Sequence, residues 1–135
     1  APMLASEQVG LMVWSPLAGG YLTGKYSRGG DRTGGRQTEL DFPPINRERG
    51  EPLVAVLRSV ADKHGTRPAQ IALAWLLKQD VVSTVLIGAK RVEQLDQNVE
   101  ATQIALDEDD MEKLDSVSQL PIEYPGWSLA DPDRA

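Results

Sequence analysis

Short β-branched runs and helical stripes of apolar residues alternate along the chain. Residues 11–14 form an apolar run closed by Ser15-Pro16, which predicts a buried strand. Residues 81–87 are rich in β-branched side chains and end at Gly88, which predicts a second strand. Residues 3–9 have the pattern of the last turns of a helix ended by Gly10, which favours a segment of a longer protein.

The apolar spacing predicts two helices between these strands. The first has one apolar face and stops at Gly65, and the second begins at Pro68. The second is apolar nearly all round over residues 71–77, so it should be buried. The face of the first consists of Leu53, Leu57, Val60, Ala61 and His64.

Two further helices are predicted after the second strand. One carries Val92, Leu95 and Val99 inward, and the other opens at Asp107, where acids favour the positive end of the helix dipole. Met111, Leu114 and Val117 share one face of this last helix, and the tail from Pro121 onward looks irregular. The order of elements is that of an α/β protein with parallel strands. Two strands are too few for a covered parallel sheet, so the fold is expected to exceed this chain.

Composition places the chain among ordinary globular domains and narrows its partners. It has 135 residues, 41% hydrophobic and 25% charged, which suits a single domain. It has no cysteine, which excludes a disulfide scaffold, a thiolate metal site and a cysteine nucleophile. The expected location is the reducing cytoplasm. The net charge of −6 would repel nucleic acid and anionic membranes. No apolar run is long enough for a membrane helix, and the start lacks the pattern of a signal peptide.

The junction from Ile87 through Arg91 into a helix has the outline of a phosphate site. Gly88 allows the turn, the amides at the helix start carry partial positive charge, and Lys90 and Arg91 add two cations. Arg91, Gln94 and Asn98 then form one stripe that would suit the edge of a nucleobase. The alternative is an ordinary solvated helix face with a basic start, and the spacing alone leaves both open.

The end of the first strand and the glycine-rich stretch from residue 17 to 35 form a second candidate site. Trp14 could offer a ring face to a flat ligand, Ser15 a hydroxyl, the glycine loop its amides and Lys25 a counter-charge. Ligands of α/β folds bind at the carboxyl ends of strands, where both candidate sites lie. A core tryptophan and a loop without a ligand are the stronger alternative here.

Other reactive residues are interpreted as structural. The glycine motifs of Rossmann and P-loop proteins are absent. The single histidine, His64, suits a helix-end role, and the acids 107–110 suit a helix start rather than a metal site. Nothing near the tyrosines in sequence would tune one as a proton donor. They are Tyr21, Tyr26 and Tyr124.

Three segments together resemble the C-terminal part of the aldo-keto reductases, on the branch that includes the potassium-channel β subunits. They are WSPLAGGYLTGKY from Trp14, PAQIALAWL from Pro68 and IGAKRVEQLDQN from Ile87. The resemblance runs through nearly the whole chain as one unit, residues 1–135, and extends to Pro125-Gly126-Trp127. One departure is Arg67, where a Ser or Thr cap would favour the helix start.

This resemblance implies the C-terminal portion of a (β/α)8 TIM barrel, with residues 11–14 as strand seven and 85–87 as strand eight. It also implies NADP(H) across the carboxyl-terminal rim. The position of Trp14 would stack on the nicotinamide, that of Lys25 would contact the pyrophosphate, and Gly88, Lys90 and Arg91 would hold the 2′-phosphate side. The remaining positions implied to line the cofactor are Ser15, Pro16, Leu17, Ala18 and Gly19, with Gln94, Gln97 and Asn98 around the adenine.

The resemblance also implies which parts of the enzyme this chain lacks. The family's catalytic Asp, Tyr, Lys and His belong to earlier strands, so no catalytic residue is assigned here, and 135 residues cannot close a barrel of about 250. The chain is expected to bind NADP(H) for hydride transfer to an aldehyde or ketone, and to be inactive alone. The alternative is a non-catalytic binding module, similar to a channel β subunit or a truncated product. In either case the chain is expected to associate with itself or with the rest of a barrel.

Overall fold

The computed structural model describes residues 2–26 and 44–120. Their order is α1 (Pro2–Ser6), β1 (Leu11–Val13), a 3-10 helix (Ala18–Thr23), α2 (Arg47–Lys63), α3 (Pro68–Leu77), β2 (Val82–Val85), α4 (Val92–Glu100), a second 3-10 helix (Ala101–Gln103) and α5 (Glu108–Ser118). The middle of the glycine-rich stretch and the tail from Pro121, including Tyr124 and Trp127, lie outside the described residues.

The two strands form a parallel sheet, as predicted. Val13 pairs with Val85, and Leu11 pairs with Val82 across an irregular register. Gly10 precedes β1 where a side chain would collide with Ser83, so the absence of a Cβ allows the close approach. Because the strands are parallel, β1 and β2 both end at the same edge of the sheet.

Three helices supply the main core. The apolar faces of α2, α3 and α5 meet around Leu57, Ile71 and Leu114, which are all but inaccessible to solvent. Tyr21, Tyr26 and Val54 form a smaller cluster between the 3-10 helix and α2. The apolar faces predicted for α2, α3 and α5 therefore pack inward as expected. The largest burial falls in α3, whose residues 71–74 are all buried.

The helix starts show which local signals were sufficient. Asn46 caps α2 by accepting a hydrogen bond from the backbone of Arg49 at 3.2 Å, so this helix begins six residues before Leu53. At α3 the Arg67 side chain makes no cap, but Gln70 accepts the Arg67 backbone N–H at 3.2 Å and also the Thr66 hydroxyl. Gln70 therefore supplies the reciprocal bond of a capping box, but the side-chain acceptor that a Ser or Thr at position 67 would offer to the helix is missing.

Three predicted elements have other boundaries in the structure. The first helix ends at Ser6, and Gln8 rather than Gly10 adopts the left-handed backbone conformation after it, with φ of 55°. The second strand is Val82–Val85, which is shorter than the predicted run of residues 81–87 and ends where the implied strand eight, residues 85–87, would begin. Trp14 likewise lies beyond the end of β1.

Two predictions of burial were also wrong: that β1 is buried, and that the apolar stripe of α4 faces inward. Met12 is 60% exposed, Trp14 64% and Val92 68%, and Leu95 and Val99 are exposed as well. A parallel sheet needs cover on both faces, and the described residues provide no layer over these side chains. No helix in residues 2–26 or 44–120 is both long and apolar enough to cross a bilayer.

Candidate nucleotide site at the carboxyl edge of the sheet

The parallel sheet brings the two candidate segments to one edge. The Leu86 N–H donates to the Val13 carbonyl at 2.9 Å, which is the last pairing before both strands end. Trp14 follows β1 directly, and Gly88 follows β2 after two residues. The loops that start there are therefore neighbours, although they are more than 70 residues apart in sequence.

The loop after β1 has an unusual backbone. Ser15 and Ala18 adopt left-handed conformations, with φ of 54° and 48°, and Gly19 and Gly20 continue at 65° and 93°. Left-handed Ser and Ala are strained, and such strain concentrates at ligand sites. No sequence signal pointed to it, since neither residue favours this conformation.

The far end of this loop is fixed to α2 and leaves a cation exposed. The Thr23 hydroxyl donates to the Gly20 carbonyl at 2.7 Å, and the Arg58 guanidinium donates to the Gly24 carbonyl at 2.8 Å. The Lys25 ammonium lies 4.8 Å from the centre of the Tyr26 ring. Within the described residues, Lys25 forms no ion pair with an acid, so its charge is available to an anion.

The turn after β2 carries two more cations of this kind. Arg91 occupies the N-cap of α4 without a side-chain cap bond, and both Lys90 and Arg91 are exposed. Neither forms an ion pair with an acid in the part of the chain that the structure describes. A Cβ at Gly88 would meet nothing within 4 Å, so the space in front of the turn is open. The helix start and its cations therefore form an open, positively charged surface.

Of the amide side chains of α4, one contacts the neighbouring helix α3. Gln94, Gln97 and Asn98 are half-buried, whereas the apolar stripe that was predicted inward is exposed. The Arg67 guanidinium donates to the Gln97 side-chain oxygen at 3.1 Å, and Gln70 donates to Glu100 at 3.1 Å. These two bonds join the start of α3 to α4. Sequence reasoning missed Arg67 here because the contact spans 30 residues.

The single histidine has the structural role that was predicted. His64 is the C-cap of α2, and its Nε2 lies 2.7 Å from Oδ2 of Asp110 at the start of α5. Lys63 donates to Asp107 at 2.7 Å and to the other oxygen of Asp110 at 2.8 Å. The end of α2 is thereby joined to the start of α5.

Burial and hydrogen bonding act in opposite directions on Asp110. Its side chain is inaccessible to solvent, which works to raise its pKa, but hydrogen bonds from Lys63 and His64 outweigh burial and lower the pKa to about 2. Hydrogen bonds to Asp107 and Asp110 raise the pKa of Lys63, and the Lys63 hydrogen bond lowers that of Asp107. Asp110 is therefore a buried carboxylate that stays ionised.

The acids at the start of α5 form a cap, as predicted, but they lie closer together than the prediction assumed. Asp107 accepts the Asp110 backbone N–H at 2.9 Å, and Asp110 returns the bond at 3.3 Å. Carboxylate oxygens of Asp107, Asp109 and Asp110 lie within 4.8 Å of one another. Lys63 already bridges two of these acids, and Lys113 pairs with Asp109 at 2.6 Å. The cluster therefore supports no metal assignment.

The comparisons with known proteins identify the family. A model of the aldo/keto reductase family matches residues 1–119. The chain belongs to this family, whose fold is a TIM barrel and whose members are oxidoreductases that generally use NAD(P)H. A two-stranded parallel sheet with its helices is consistent with part of such a barrel.

Individual relatives include both reductases and proteins named for channels. Protein tas of Escherichia coli is 36% identical over 115 residues, which are 84% of this chain and 33% of that protein. L-glyceraldehyde 3-phosphate reductase of E. coli is 41% identical over 104 residues, 73% of this chain and 30% of the relative. A putative voltage-gated potassium channel subunit beta of Schizosaccharomyces pombe is 37% identical over 125 residues, which are 85% of this chain and 36% of that protein. The chain therefore spans about a third of these relatives.

Proposed function

We propose that this chain is the NADP(H)-binding C-terminal segment of an aldo-keto reductase, with β1 as the seventh strand of the barrel and β2 as the eighth. In that role residues 1–135 act as one unit within a protein that transfers hydride between NADPH and an aldehyde or ketone. NADPH, when bound, supplies the hydride. The residues of this chain hold the cofactor at the rim, and the proton-transferring residues come from earlier strands.

The observation that carries this proposal is the parallel pairing of β1 with β2. It joins the Trp14 loop to the Gly88 turn at one edge, which is where α/β folds bind ligands. Lys90 and Arg91 follow the Gly88 turn and Lys25 lies at the far end of the Trp14 loop; all three are exposed and have no acidic partner in the described residues. A dinucleotide with a pyrophosphate and a 2′-phosphate carries negative charge that suits them.

The 2′-phosphate is the feature that would distinguish NADP(H) from NAD(H). Arg91 and Lys90 stand at the helix start beyond Gly88, so a phosphate would meet two cations and the amides of α4. A 2′-hydroxyl would leave those cations unpaired. A charge-assisted hydrogen bond contributes about 1.5–3 kcal/mol, so Arg91→Ala should weaken NADPH binding roughly 10- to 100-fold and leave NADH nearly unchanged.

The test is to titrate both cofactors into the protein completed with the rest of its barrel, and into its Arg91→Ala form. Arg47→Ala is the charge-matched control, because Arg47 is an exposed arginine at the start of a different helix, α2. Equal losses of NADPH and NADH affinity in Arg91→Ala would contradict a 2′-phosphate role. If Arg47→Ala lost as much NADPH affinity as Arg91→Ala, the loss would be explained by the change in net charge alone.

A non-catalytic interaction module is the second candidate function. It is favoured by the exposed apolar side chains of β1 and α4, which need a covering surface, and by similarity to proteins named as potassium channel β subunits. Several expectations stay predictions: that the chain associates with itself or with the rest of a barrel, that the substrate is a carbonyl compound, that the location is cytoplasmic, and that neither nucleic acid nor a membrane is a partner. The chain alone is expected to reduce no carbonyl compound with NADPH, and steady turnover by homogeneous material would contradict this.

A further inference from the structure

An apolar cavity lies between the loop after β1 and the helices α2, α3 and α5. Its volume is about 130 Å³, and its walls include Pro16, Leu22, Leu57, Trp75, Leu114 and Ser118. Leu57 and Leu114 are buried, whereas Leu22 and Trp75 are half-buried, so the cavity is not sealed from solvent. Apolar walls in contact with water are unfavourable, and a group that covered them would stabilise the chain.

Ser118 is the polar side chain of this cavity that can still take a partner. The Trp75 indole N–H donates to the Asp115 side chain at 2.7 Å, and the Ser118 hydroxyl donates to the Asp115 carbonyl at 3.2 Å. A hydroxyl that donates its proton keeps two acceptor lone pairs, whereas an indole accepts nothing. Ser118 can therefore accept a hydrogen bond from a donor inside the cavity.

The chain leaves α5 beside this cavity. The helix ends at Ser118 in the cavity wall, and the Arg49 guanidinium donates to the Gln119 carbonyl at 3.0 Å, which joins the exit to the start of α2. Leu120 is 70% exposed and does not line the cavity. Residues 121–135, outside the described part of the chain, follow directly. A residue six positions beyond Ser118 can reach about 20 Å, which is ample for a return to the cavity.

Tyr124 is the side chain of this segment that matches the cavity in size and in chemistry. An apolar cavity of about 150 Å³ admits one benzene ring, so a volume of about 130 Å³ suits the single ring of Tyr124. The fused double ring of Trp127 exceeds such a volume. Ile122 has no hydrogen-bond donor for Ser118, whereas the Tyr124 hydroxyl has one.

We propose that residues 121–127 dock over this cavity, with the Tyr124 ring inside it and the Tyr124 hydroxyl donating to Ser118. The docked segment covers the half-buried walls and contacts Pro16 and Leu22, so it supports the loop after β1 from the side of the helices. Docking involves no nucleotide, so it stands or falls separately from the proposed function.

Equilibrium urea unfolding of the full chain, at one protein concentration, measures the contribution of the ring. Tyr124→Ala should raise the equilibrium constant for unfolding at least about tenfold, because it removes buried apolar surface and leaves the cavity empty. Trp127→Ala is the matched control, since it truncates another aromatic side chain of the same segment. It should stay within about twofold of the wild type, and a loss as large as that of Tyr124→Ala would overturn the assignment to Tyr124.

A cycle of conservative variants tests the hydrogen bond even if Tyr124→Ala does not fold. Tyr124→Phe should raise the unfolding constant about 2- to 10-fold in the wild type and less than about twofold in Ser118→Ala. Ser116→Ala is the matched background, because the Ser116 hydroxyl makes the same kind of bond, to the Lys113 carbonyl at 3.0 Å. The full effect of Tyr124→Phe should persist there. Equal effects of Tyr124→Phe in both serine backgrounds would overturn the contact with Ser118.

A small probe locates the ring in the cavity. p-Cresol has the structure of a tyrosine side chain, and a ligand that binds only the folded chain raises its urea midpoint. Millimolar p-cresol should raise the midpoint of Tyr124→Ala and leave the wild type and Trp127→Ala unchanged. An equal response in the wild type would show that its cavity is empty. That result, or no response in a folded Tyr124→Ala, would overturn the proposal.

Discussion

The buried carboxylate of Asp110 makes the stability of this chain depend on acid pH. The pKa of Asp110 is about 2 in the folded chain, against 3.8 for an ordinary aspartate. A group whose pKa is lowered by folding stabilises the folded state above its unfolded pKa and loses that contribution as pH falls. The stabilisation is therefore complete above about pH 5 and is lost between about pH 4 and pH 2.

The size of this effect follows from the shift. A difference of nearly two pKa units corresponds to about 2–3 kcal/mol at neutral pH. Replacing Asp110 by Asn keeps the shape but removes the charge that Lys63 and His64 face. We expect Asp110→Asn to lower the free energy of unfolding by about 2–4 kcal/mol at pH 7. The variant should also lose most of the pH dependence between pH 4 and pH 2.

Equilibrium urea unfolding, followed by far-ultraviolet circular dichroism at one protein concentration, measures both quantities. Asp109→Asn is the matched control, because Asp109 lies in the same turn but its ion pair within the described residues is an exposed one, with Lys113. Exposed pairs of this spacing contribute about 0.3–0.5 kcal/mol. The reasoning is refuted if Asp110→Asn costs no more than Asp109→Asn, or if its acid profile has the wild-type slope.

Two other predictions concern a buried hydroxyl and the uncovered apolar surface. The Tyr26 hydroxyl is buried and has no hydrogen-bond partner among the described residues, so Tyr26→Phe should be neutral or stabilising by about 1 kcal/mol in urea unfolding; a loss above that size would reveal a partner. The exposed side chains Met12, Trp14 and Val92 should drive concentration-dependent association, visible by sedimentation velocity as a shift that Val92→Lys reduces. A well-folded monomer at all concentrations would contradict this.

Local signals in the sequence determined most of the secondary structure. Gly65 ends α2, Pro68 begins α3 and Asp107 caps α5, each by a preference that acts within one turn of helix. The β-branched run before Gly88 contains β2, and the alternation of elements predicted the parallel pairing. The apolar faces of α2, α3 and α5 were readable because a helix repeats its faces every few residues.

Tertiary structure alone decided which apolar residues are covered and where the polar contacts form. Val92 and Val99 have the spacing of an inward face, but burial needs an opposing layer, and spacing carries no information about whether that layer is present. The contacts from Arg67 to Gln97 and from His64 to Asp110 join residues 30 and 46 positions apart, beyond the reach of any local preference. The chain by itself fixes its helices and the order of its strands, while packing between distant segments fixes the amide orientations and the ionised, buried carboxylate.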